Sequence, residues 1–135
     1  MILVSACLIG IGCRYDGKDS LNQELLDLVL KGEAIPVCPE TMGGMTIPRV
    51  PAERVGDLVI DKEGTDVTLE FKRGAEKTLE LALANKVKKA ILKSKSPSCG
   101  VNKIYDGTHS KVLLDGHGVT TELLLKNGII VENKN

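Results

Sequence analysis

The chain has 135 residues, a length that suits one domain. Apolar residues make up 42% and charged residues 27%, so the chain can bury a core and does not read as disordered. Lys plus Arg equals Asp plus Glu at 18 each, and aromatic residues are 2%, which argues against a broad nucleic-acid face and against a base-stacking platform. No apolar run approaches the ~20 residues that span a bilayer. The opening "MILVSACLIGIGC" has no basic stretch before Cys7 and no room for a signal core, so a cytoplasmic location with no membrane partner is expected. There, four cysteines point to metal or catalysis more than to disulfides.

In chain order, "ILVSA" (2–6) reads as a buried strand, and the glycine-containing "CLIGIGCRYDGKD" (7–19) as a loop. Ser20 is positioned to cap a helix over 21–31, with Leu21, Leu25, Leu28 and Val29 on one face and Gly32 ending it. "AIPVC" (34–38) is a second strand despite Pro36, and 39–54 is a long Pro/Gly-rich loop of the kind that carries function. The segment 57–68 predicts a hairpin turning at 62–64. Thr68 opens a helix to about Asn85, with Leu69, Ala75, Leu79, Ala82 and Leu83 inward and Gly74 a mild cost. A third strand over 88–93 leads into "SKSPSCG", then an irregular arm over 103–118. A helix begins at Thr120 or Thr121, Gly128 closes it, and "IIVE" is the last strand. Such strand–loop–helix repeats predict a single three-layer α/β domain over residues 1–135. Its sheet is Rossmann-like, mainly parallel and four-stranded, with an added hairpin.

That topology gives the cysteines a meaning. Cys7 follows the first strand, Cys38 ends the second and Cys99 lies past the third. In a parallel sheet those ends share one edge, where ligands bind. No CxxC pair marks a zinc finger, but three thiolates from separate loops suit an iron–sulfur cluster, zinc or copper(I). A lone cysteine reads better as a small buried apolar residue; three at one edge read better as a shared site. Glu40 and Ser96 belong to the same edge, where a carboxylate moves protons and a hydroxyl relays one or attacks. Taken singly, Glu40 reads as a solvated carboxylate and Ser96 as a turn residue before Pro97. Gly10, Gly12, Gly43 and Gly44 permit close backbone approach to a bound group, or simple turns. Arg14, Tyr15, Asp16 and Arg49 are candidates for substrate contact, and Arg14 with Asp16 or Glu53 with Arg54 equally for surface ion pairs. His109 and His117 read as surface histidines of the arm.

The motifs "SACLIGIGCRYDG", "PVCPETMGG" with "PRVPAE", "ILKSKSPSCG", "YDGT" and "GVTTELLLKNGI" together resemble the bacterial TudS-type thiouracil and thiouridine desulfidase family, over essentially the whole chain. That resemblance implies a 4Fe–4S cluster held by three cysteines, with one iron open to the substrate's sulfur. It also implies C–S cleavage by hydrolysis without net redox change, and release of the sulfur as sulfide. Carried over, the ligands are Cys7, Cys38 and Cys99, with Glu40 and Ser96 at the open iron and Cys13 as the spare fourth cysteine. His109 stands where the family usually has an aromatic, and His117 where an acidic residue is more usual. The implied substrate is a small thiolated pyrimidine or nucleotide, with thiolated tRNA also open. Two alternatives stand beside this reading: a structural zinc module, and a metal-free reactive-cysteine protein that transfers sulfur.

Overall fold

The computed structural model describes residues 1–17 and 20–135. In chain order the elements are β1 (Ile2–Ser5), a 3-10 turn (Ala6–Ile9), α1 (Gln23–Leu30), β2 (Ala34–Val37), α2 (Pro39–Met42), β3 (Ala52–Val55), β4 (Leu58–Asp61), α3 (Thr68–Ala84), β5 (Lys89–Lys93), β6 (Lys103–Tyr105), β7 (Leu113–Asp115), α4 (Val119–Lys126) and β8 (Ile130–Lys134). Four strands form one sheet in the order β2-β1-β5-β8, every neighbouring pair parallel. The α/β class and the four-stranded parallel sheet are therefore as expected.

Alternation along β1 splits the core into two layers. Leu3, fully buried, packs with Val37, Ala82, Leu92 and Leu124 under α3 and α4. Val4, also fully buried, packs with Leu8, Leu25, Ala34 and Ile91 under α1. The sheet is thus covered on both faces, which is why β1 and β5 carry continuous apolar runs.

Several boundaries differ from the sequence reading. The first helix starts later, because the Asn22 side chain, not Ser20, accepts the Leu25 N–H at 3.2 Å. Leu21 is left exposed. The 7–19 loop begins as a 3-10 turn, and its last two residues, Lys18 and Asp19, lie outside the described residues. Strand β4 pairs upstream with β3 around Gly56, whose φ of +59° suits glycine. The turn at 62–64 does form, tied by the Asp61 carboxylate to the amides of Glu63 and Thr65. The chain leaving it makes one bridge, Ile60 with Asp66, before α3 begins. The 103–118 arm contains a second small ladder, β6 with β7.

On α3 the buried face is Phe71, Ala75, Thr78 and Ala82. Leu69 is 63% exposed and Leu83 57%, against expectation. At 100° per residue Leu69 lies nearly opposite Phe71, and Leu83 a quarter-turn from Ala82. Gly74 is not a mere cost. A Cβ there would lie 1.9 Å from the Pro39 carbonyl oxygen, and one on Gly43 would lie 2.0 Å from the Glu70 oxygen. Helices α2 and α3 thus touch backbone to backbone, through two glycines.

Candidate functional site

Strand β1 is followed through α1 by β2 on one side, while β5 lies on its other side. The loops leaving β1 and β5 therefore diverge, and a crevice opens at the carboxyl edge, as the rule for open parallel sheets requires. A cavity of about 560 Å³ sits there, lined by all four cysteines together with Glu40 and Ser96. Its size is that of a small-molecule site.

Each thiol arrives by a different local device. Cys7 is in the 3-10 turn after β1, and its carbonyl accepts the Ser20 N–H at 2.7 Å. Cys38 is the N-cap of α2, where Pro39 suits the first helical position and Thr41 Oγ1 donates to the Cys38 carbonyl at 3.0 Å. Cys99 closes the turn after β5, where its N–H donates to Ser96 Oγ at 2.7 Å. Its carbonyl accepts from Thr121 Oγ1 at 2.9 Å and Asn133 Nδ2 at 3.0 Å. At Gly118 a Cβ would fall 2.3 Å from the Ser98 carbonyl carbon, so only glycine lets α4 start against this loop. Cys13 sits on the loop beyond Cys7, and its carbonyl accepts from Arg49 Nη2 at 3.0 Å.

The thiols compete for protons. A hydrogen bond from Cys13 holds Cys7 below its ordinary value, against burial. Cys13 is pushed up to about 11: its hydrogen bond with Cys38 favours the thiolate, but the one with Cys7, together with burial, outweighs it. Cys38 is raised, first by its hydrogen bond with Cys13 and then by burial. Burial pushes Cys99 up to about 12, and the charge of Glu40 adds to this. Several thiolates here would repel one another unless a cationic metal centre neutralised them, and such a centre would draw off their protons. The donor set is soft sulfur from four cysteines on one cavity wall, which fits an iron–sulfur group. Among the described residues no three His, Cys, Asp or Glu side chains converge as ligands of a single metal ion.

Arg49 is largely committed within the protein. Although it lines the cavity, its side chain is 6% exposed and its N–H groups make four hydrogen bonds within the protein. Nε and Nη2 donate to Glu40 Oε2 at 2.9 and 2.5 Å, Nη1 donates to the Thr46 carbonyl at 3.1 Å, and Nη2 also serves Cys13. Both bonds from Arg49 to Glu40 fall on Oε2, so the clamp does not occupy Oε1. Ser96 Oγ accepts from the Cys99 amide, so its own proton is free to be donated.

Of the other expected contact residues, Arg14 and Tyr15 line the cavity, whereas Asp16, Gly43 and Gly44 do not. Asp16 lies 3.7 Å from Arg14, and Gly43 packs on α3. The sequence reading passed over Lys62, Lys93, Lys95 and Lys111, which also line it. None of the four forms an ion pair with a described residue. His109 lines it too, and is not the surface residue expected. No periodic signal marks any of these positions, since all lie in loops or at strand ends.

Comparison with known proteins agrees with this arrangement. The protein YbbK of Bacillus subtilis (strain 168), which is named as uncharacterized, is 41% identical over 145 residues, covering 100% of this chain and 96% of that protein. A solved structure of TudS, a 4Fe–4S-dependent thiouracil desulfidase, superposes with a TM-score of 0.94 at 47% identity, over 98% of this chain and 89% of that one. The profile of the 2-thiouracil desulfurase family matches residues 2–135, and the chain belongs to that family.

Proposed function

We propose that the chain, acting as one domain, is a 4Fe–4S-dependent desulfidase of thiolated pyrimidines. The observation that carries this is the convergence of Cys7, Cys38 and Cys99, from three sheet-edge loops, on one cavity that also holds Glu40 and Ser96. Those three thiols hold the cluster. When bound, it would supply Lewis-acidic iron suited to the soft sulfur of a thiocarbonyl. Cys13 stays a thiol beside Cys7 and Cys38. Glu40 Oε1 takes a proton from the attacking water, with the carboxylate held by Arg49 through Oε2. Ser96 donates its hydroxyl hydrogen bond to the reacting group. In sum, a thiocarbonyl and one water give a carbonyl and one hydrogen sulfide, with no electron gained or lost.

The cavity also favours an anionic substrate. Four lysines at its wall lack carboxylate partners among the described residues, and Glu40 is paired with Arg49, so the wall is cationic even with Glu53 counted as an anion. That balance suits the phosphate of a thiopyrimidine nucleotide better than the free base. The test is anaerobic reconstitution with iron and sulfide, then sulfide assay on 2-thiouracil, 4-thiouridine, its 5′-monophosphate and thiolated tRNA. About four irons per chain, and sulfide that disappears in Cys99→Ala, are expected. Tight zinc with no sulfide release would falsify the reading.

A further inference from the structure

One polar group in the cavity has no role in that scheme. His109 holds φ at +57°, a left-handed conformation uncommon for a residue other than glycine. Glu53 keeps it there: its Oε1 accepts the Gly107 N–H at 3.0 Å and the His109 N–H at 3.1 Å. Its Oε2 lies 3.4 Å from His109 Nδ1. The imidazole is 16% exposed, yet Nε2 is buried and has no hydrogen-bond partner among the described residues. Buried polar atoms are seldom left orphaned, and a functional partner is one reason for it. Both His109 and Glu53 line the cavity that holds the cysteines.

We propose that His109 reads the substrate: its Nε2, closed off in the unliganded protein, is opened to the cavity by a small shift of the ring and accepts the ring N–H that flanks the thiocarbonyl. A carboxylate can only accept, so the proton on the ring faces it from Nδ1, and in the neutral imidazole Nε2 keeps a lone pair. A thiolated uracil presents an N–H next to its thiocarbonyl whether sulfur is at the 2- or the 4-position of the ring. Glu53 is then a positioning residue: it fixes the turn through two amides and faces the imidazole at Nδ1. This inference rests on the desulfidase reading and names a specificity determinant of the same site.

The test uses the cluster-loaded protein. Sulfide release is measured with 4-thiouridine and with its N3-methyl derivative, for the unmodified protein, H109N, H109Q and E53Q. Asparagine tolerates the left-handed conformation but is too short to place an acceptor where Nε2 lies. We expect kcat/KM for 4-thiouridine to fall about tenfold in H109N, the worth of one hydrogen bond in a desolvated site. We expect the preference over the methylated substrate to collapse with it, and H109Q, with longer reach, to restore part of it. E53Q keeps an acceptor for both amides but frees the ring, so the preference should weaken there too; it decides the matter if H109N does not fold. An unchanged preference in H109N or E53Q, with sulfide still released, overturns the role of His109 alone. No sulfide from the unmodified protein brings down the desulfidase reading, and this one with it.

Discussion

Gly74→Ala inverts an ordinary expectation. Inside a helix, alanine is favoured over glycine by about 1 kcal/mol. Here the new methyl would stand 1.9 Å from the Pro39 carbonyl oxygen and 2.8 Å from its carbon. A carbon–oxygen contact needs about 3.3 Å, so one helix must retreat by about 1.4 Å. Neither atom is a flexible side-chain end. Both are backbone, and α2 is also held by the Arg49 clamp on Glu40. Overpacking of this kind costs about 1–3 kcal/mol, which offsets the helix-propensity gain of about 1 kcal/mol and leaves a net loss of up to about 2 kcal/mol. The displacement falls on α2, which carries Glu40, more than on Cys38, which the end of β2 tethers. Urea unfolding should show the lower midpoint, and sulfide release should fall further than bound iron. The same argument covers Gly43→Ala, whose methyl meets the Glu70 oxygen at 2.0 Å from the other side of the contact. Once α2 has moved for one methyl it has moved for both, so the double variant should cost less than the sum of the two. A G74A protein as stable as the unmodified one, or more so, would refute the reasoning, because propensity alone would then govern the site.

Two other substitutions probe the remaining supports. Arg49→Lys keeps the charge but cannot hold Glu40, Cys13 and Thr46 together, so kcat should fall about 100-fold with little change in KM, the signature of a misplaced group rather than a lost substrate contact. A kcat within about twofold of the unmodified protein would remove Arg49 from the positioning role. Arg54 donates to Glu122 Oε2 at 2.5 Å and to the His117 carbonyl at 2.7 Å, tying the β3–β4 hairpin to the start of α4. The Glu122 carboxyl is held below its usual range, first by that hydrogen bond. Its contribution is therefore present above the unfolded carboxyl value of about 4.3 and is lost as pH falls through the lower folded value. Arg54→Met should cost about 1–2 kcal/mol at pH 7, discounted for the partial exposure of Glu122, and the gap from the unmodified protein should narrow towards pH 3. A gap that widens on acidification would contradict the assigned pairing.

The sheet and the meeting of the cysteines were legible because both depend on local signals. Short apolar runs ending in Gly/Pro-rich loops mark parallel strands, and a parallel sheet brings their ends together whatever lies between. What escaped depends on partners far away in the chain. The role of Gly74 is visible only once α2 is known to lie against it. His109 reads as a surface residue until a carboxylate 56 positions earlier is seen to hold its turn. Arg49 looks like a substrate ligand until its N–H groups are assigned, and the carboxylate that takes two of them is on a helical turn hidden inside a Pro/Gly-rich stretch. The β6–β7 ladder was missed for a different reason: all three residues of β7 are exposed, so no alternation marks it.

The two carboxylates of the cavity reveal how the site is assembled. Glu40 reaches it from α2 and Glu53 from β3, neither of which belongs to the central sheet. Each is held by protein N–H groups: Glu40 by Arg49, and Glu53 by two amides of the turn bearing His109. The thiols at 7, 38 and 99, by contrast, follow directly from strands of that sheet or their first turns. The thiols proposed to hold the cluster therefore sit at the ends of the central sheet, and the groups proposed to move protons and read the substrate sit on pieces docked to it. Such pieces open at lower free energy than the core that carries them. Loss of the docking contacts at Gly43, Gly74 or Arg54 should accordingly impair turnover before it impairs iron binding. Loss of buried packing such as Leu3 or Leu92 should abolish both at once.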